Sequence, residues 1–100
     1  MTDPIFRLVK NTNTIDEAYD VFNGTERVGF IYLRWNLIYA KYPDADGLVV
    51  YSEYAKGYNP RVATQRDYYL RHALFNILQY MKGEHILPHK ATGVQYTVES

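Results

Sequence analysis

His85 and His89 stand four residues apart with Glu84 beside them, the spacing that sets two imidazoles and a carboxylate on one helical face as metal ligands. Pro88 lies between the histidines, removes a helical donor and disfavours helix at Leu87, so this stretch reads as a solvated tail without a metal. Asp44-Ala45-Asp46-Gly47 opens like a calcium loop, but Ala55 stands where the closing carboxylate belongs, and the four residues read as a turn. Ser52 and Ser100 are the only serines, and no histidine is near Ser52 in sequence to activate it. The six glycines are scattered and form no phosphate-cradling loop. No catalytic residue, cofactor or metal is therefore expected, and the chain reads as non-enzymatic.

What the sequence has in excess is aromatic surface: eleven tyrosines, four phenylalanines and one tryptophan in 100 residues. A single small core uses fewer, and tyrosine is the amphipathic residue that binding surfaces favour, so some rings must reach solvent. Formal charge is zero, yet unevenly spread. Up to Ala55 there are five cations against eight anions, whereas from Lys56 to Lys90 there are six against two. A basic second half offers Arg61, Arg66 and Arg71 to an acidic partner or to phosphates.

The elements that must position these groups are legible as alternating runs. Ile5 to Val9, Glu17 to Phe22, Thr25 to Arg34, Leu37 to Tyr42 and Leu48 to Tyr54 read as strands, with loops at 11–14 and 43–47. Asn23-Gly24 suits a type I′ hairpin that sets Asp20 opposite Arg27 and Tyr19 opposite Val28. Asn23-Gly24-Thr25, formally a glycosylation acceptor, is read as hairpin chemistry. Trp35-Asn36 forms the next turn. In these registers one face carries Tyr19, Val21, Val28, Phe30, Tyr32, Leu37 and Tyr39, bordered by Arg34 and Lys41. The other carries Phe22, Ile31, Leu33, Ile38, Ala40 and Tyr42.

After a connection at 56–63, Thr64 as N-cap with Asp67 three residues on predicts a helix to Met81, stopped by Gly83. Leu70, Ala73, Leu74, Ile77, Leu78, Tyr80 and Met81 form its core stripe, and Tyr68 and Phe75 fall opposite, beside Arg71, His72 and Gln79. Residues 84–100 form a tail in which Gln95 to Val98 either adds an edge strand or stays disordered.

The expected fold is α+β: one domain over residues 1–100, ordered from about 4 to 83, with an antiparallel meander of four to five strands and one long C-terminal helix on one face. One helix covers one sheet face, so the other must be closed by the first strand and tail, by self-association or by a partner. In format the chain resembles accessory proteins of phages and other mobile elements, although it matches no specific family motif. The expected function is a protein-binding module, an inhibitor or regulator of a larger protein. Phe30, Tyr32, Arg34, Tyr39 and Lys41 on the sheet, or Tyr68, Arg71, His72 and Phe75 on the helix, make the contacts. The alternative is nucleic-acid binding, with sheet aromatics stacking bases and Arg61, Arg66 and Arg71 meeting phosphates. A small enzyme with a Tyr or His pocket is a third reading. Without cysteine, a basic leader or a long apolar run, the expected location is cytoplasmic and no membrane partner is expected.

Overall fold

A computed structural model describes residues 5–11, 17–34, 37–59, 62–83 and 94–99. In chain order the elements are β1 (Ile5–Lys10), β2 (Glu17–Asn23), β3 (Glu26–Leu33), β4 (Leu37–Tyr42), β5 (Leu48–Tyr54), α1 (Ala63–Lys82) and β6 (Gln95–Glu99). They form one six-stranded sheet, β5-β4-β3-β2-β1-β6, with α1 packed on one face. The first five strands are the expected antiparallel meander. The tail contributes β6, which pairs parallel with β1 and makes the sheet mixed. It thereby extends the sheet and does not close it, so among the described residues β5 and β6 are the two edge strands.

The first hairpin departs from expectation in a way that decides both faces. Its turn residues are Gly24 and Thr25, flanked by Asn23 opposite Glu26. Gly24 has φ +66° and no described residue other than glycine has positive φ, which suits a type II′ turn and not the I′ turn of Asn23-Gly24. That slip alone would preserve the faces. A bulge then adds one residue: Phe22 lies opposite Arg27, but Val21 lies opposite Gly29. One extra residue inverts the alternation, so Val28 and Gly29 both turn to the helix and every β3 residue from Phe30 onward changes sides relative to β2. Asp20 faces Phe30 and Tyr19 faces Ile31, in place of the expected Arg27 and Val28. The β3–β4 register, with Tyr32 opposite Tyr39, is as expected.

The helix-side face consequently carries Phe6, Leu8, Tyr19, Val21, Val28, Ile31, Leu33, Ile38 and Ala40, all buried. A second bulge, on β5 opposite the Ala40–Lys41 step of β4, makes Val50 and Tyr51 both pack on this core. Gly29 is needed where the helix descends: a Cβ there would lie 2.6 Å from Ile77 Cδ1 and 3.1 Å from the Lys41 carbonyl oxygen.

The helix starts two residues earlier than expected, with Val62 and not Thr64 as N-cap and no side-chain cap. The connection itself organises this end: Val62 N–H donates to Asn59 O, and Gln65 Oε1 accepts from Asn59 N–H. Gly83 ends the helix in the left-handed region, as expected. Leu70, Ala73, Leu74, Ile77 and Leu78 are buried as the stripe predicts, but Phe75 is buried too and Tyr80 is half exposed. Phe75 joins the same core cluster as buried Val94, which leads into β6 and whose carbonyl accepts from Arg71 one turn before Phe75. The core therefore wraps further round α1 than a sheet alone would require.

Gly29→Ala should destabilise the fold by about 1–3 kcal/mol through overpacking, and Ile77→Val, which removes the offending Cδ1, should recover part of that loss in the double variant. Leu74→Ala should cost about 2–5 kcal/mol. Denaturant unfolding of the four variants checks all three values.

Candidate interaction surfaces

Inversion at the bulge builds the face opposite the helix from Arg7 and Val9 of β1, Ala18, Asp20 and Phe22 of β2, Arg27, Phe30 and Tyr32 of β3, Leu37, Tyr39 and Lys41 of β4, and Ser52 and Tyr54 of β5. No described helix or strand lies on it. Two stacks organise its side chains. Tyr32 and Tyr39, directly opposite each other, have centroids 5.0 Å apart and planes at 18°, and Lys41 Nζ lies 5.5 Å from the Tyr39 ring. Phe22 sits between Arg7 on β1 and Arg27 on β3, whose guanidinium carbons are 5.0 and 5.5 Å from its centroid. Cation–π and ring–ring attraction hold these side chains upright on the pleat.

Of the five sheet residues expected to make contacts, Tyr32, Tyr39 and Lys41 share this face and are half-buried. Arg34 is exposed just beyond the end of β3. Phe30 is a correction: at 7% exposure between Asp20 and Lys41 it is a buried residue and not a contact residue. Phe22, Arg7 and Arg27 join this face outside the expected set, because the expected register puts Phe22 on the face opposite Tyr32 and Tyr39. Gly29 was the available signal, since an isolated glycine within a strand pattern marks a bulge.

The expected helix patch does not assemble. Phe75 is buried, and Arg71 is committed to the fold: Nε donates to Asp67 Oδ2 at 2.9 Å, Nη1 to Val94 O, and its guanidinium lies over Tyr96. Arg66 pairs with Glu17 at 2.5 Å, and the same carboxylate oxygen accepts from Tyr19 Oη. Burial, the hydrogen bond and the charge of Glu17 push the Tyr19 hydroxyl well above its ordinary range. Arg61 lies outside the described residues, as do Glu84, His85, His89 and the Trp35-Asn36 turn. Only Tyr68 and His72 of the patch remain together, with ring centroids 4.3 Å apart. Tyr68 also lines a shallow cleft of about 350 Å³ between the β5–α1 connection and α1, with Lys56, Gly57, Tyr58, Thr64, Gln65 and Tyr69. Among the described residues no group of three or more His, Asp or Glu could hold a metal ion, and Asp44 forms a turn through its own carboxylate to Asp46 N–H. No described helix is long and apolar enough to cross a membrane.

Asp67, expected as a capping residue, instead ties α1 to β6: Tyr96 Oη donates to Asp67 Oδ1 at 2.6 Å. Burial by itself would raise the Asp67 carboxyl, but the hydrogen bonds from Tyr96 and Arg71 and the Arg71 charge outweigh it and hold it below the ordinary value. Tyr96 is pushed up to about 12 by burial, its bond to Asp67 and that carboxylate's charge.

Comparison with family models, with curated proteins and with solved structures yields no match for this chain.

A carboxyl whose folded pKa lies below its unfolded one stabilises fully above the ordinary carboxylate range and loses that contribution as pH falls through the lowered value. Acid should therefore loosen β6 from α1, and Asp67→Asn should remove that part of the pH dependence. The phenol works in reverse, contributing fully below pH 10 and losing its contribution as pH rises to about 12. Amide exchange at Tyr96 to Val98 across both ranges reads the two limbs.

Proposed function

We propose that the chain is a non-enzymatic protein-binding module, acting as an inhibitor or regulator of a larger protein, and that its recognition surface is the sheet face opposite α1. The observation that carries this reading is the occupation of the ring faces. Phe22 is flanked by two guanidiniums and Tyr39 by Tyr32 and Lys41, so these two rings present their edges, beside phenol hydroxyls and the outer ends of cations. Single-stranded nucleic acid needs free ring faces on which bases stack. Protein interfaces instead favour Tyr, Phe and Arg packed together with polar rims. The engagement of Arg66 and Arg71 with Glu17 and Asp67 also weakens the phosphate-contact alternative. The partner this surface suits has an apolar patch edged with carboxylates, complementary to Arg27 and Lys41.

Capture from native lysate, with and without nuclease, tests the reading with the wild type, Tyr39→Ala and Arg27→Glu. A protein retained after nuclease treatment and lost at least tenfold in both variants, while each stays folded by circular dichroism, is the expected result. Retention by both folded variants, or loss of binding on nuclease treatment alone, would reject it.

A further inference from the structure

We propose that the chain also self-associates through β6, two copies pairing this edge antiparallel about a two-fold axis at Thr97, so that their two six-stranded sheets become one. The inference concerns the sheet edge and does not depend on the face opposite α1.

The two edges of the sheet differ in their fitness to be paired. β5 is irregular: Tyr51 faces Ala40 while Val49 faces Lys41, leaving Val50 and Tyr51 both on the helix side. A regular partner strand alternates strictly, so it cannot match β5 along its length, and such bulges protect natural edges from pairing. β6 has no such defence. Its five residues run in unbroken register with β1, from Ile5 opposite Gln95 to Val9 opposite Glu99, and contain no proline, lysine, glycine or bulge. No described strand pairs with its outer side.

The sequence of β6 is also complementary to itself. Centring the two-fold on Thr97 sets Thr97 against Thr97 of the second copy, Tyr96 against Val98 and Gln95 against Glu99. Tyr96 and Val98 lie on the helix side with Phe6 and Leu8, and Gln95, Thr97 and Glu99 on the other, so every pair meets on one face. Val98, 52% exposed in the single chain, would be covered by the partner's aromatic ring, a favourable cross-strand pair. The carboxylate of Glu99 would face an amide and no like charge. A one-residue slip would oppose Thr97 to Val98 across the pleat, and a two-residue slip would leave three pairs of five.

Five-residue edges bury less than a standard interface, so the dimer should be a weak one. Sedimentation equilibrium of the full chain from about 10 μM to about 1 mM should show average mass rising towards twice that of the chain. Val98→Lys, an edge lysine, should raise the dissociation constant at least tenfold. Because the chain has no cysteine, Thr97→Cys should oxidise to a linked dimer at least ten times faster than Ser52→Cys at the β5 edge. A monomer across the whole range, equal oxidation of the two cysteine variants, or a dimer abolished by Tyr39→Ala and untouched by Val98→Lys would overturn the proposal. Should Val98→Lys fail to fold, the wild-type mass and the cysteine pair still decide.

Discussion

The missing side chain at Gly29 is what lets α1 come down onto the sheet. Ile77 occupies the place of a β3 Cβ, and around that contact close Val28, Ile31, Ala40, Leu74 and Leu78, each nearly or wholly removed from water. The same glycine sits in the bulge where two β3 residues oppose one on β2, so close helix approach and reversal of the alternation are one event. Burial of the helix-side apolar residues then leaves Phe22, Tyr32, Tyr39, Arg7, Arg27 and Lys41 with no place except the other face. The arrangement there follows from the packing beneath it.

On that second face the cross-strand pairs do locally what a covering layer would do globally. Phe22, Tyr32 and Tyr39 are each matched sideways by a neighbour on the adjacent strand, which shields ring faces from water while keeping cationic ends solvated. This explains how an aromatic-rich sheet surface stands without a described helix over it. It also makes the surface stiff, since a stacked Tyr or a guanidinium pinned on a ring has already given up much of its rotamer freedom. A partner then meets side chains whose ordering cost is low, which favours affinity per unit area.

How far this could be read in the sequence varies with the range of the interactions. The helix stripe from Leu70 to Leu78, its stop at Gly83, the five meander strands and the Tyr32–Tyr39 register are dictated by neighbours in sequence, and all were legible. The inverted face was not, because whether Gly29 extends a strand or breaks its phase is settled by Ile77 nearly fifty residues away. Phe75 and Arg71 were misassigned for a related reason. Periodicity places residues around a helix, but Val94 and Tyr96, which bond Arg71 and Asp67, arrive with β6, an element whose parallel docking no local pattern announces. Tyr58, buried in a connection that looked like plain turn sequence, belongs with them.

The pairing of β6 with β1 joins residues ninety positions apart, as with Ile5 and Gln95, and this has a consequence for the nascent chain. β6 is made after every other described element, and at about 5–20 residues per second the interval from β1 to β6 lasts roughly 5–20 seconds. Throughout it the outermost strand is Ile5-Phe6-Arg7-Leu8-Val9-Lys10, with Phe6 and Leu8 deprived of the neighbour that later flanks them. The β1 edge is thus one that the finished molecule no longer displays, and late closure by β6 makes its vulnerability a matter of synthesis time and not of final stability.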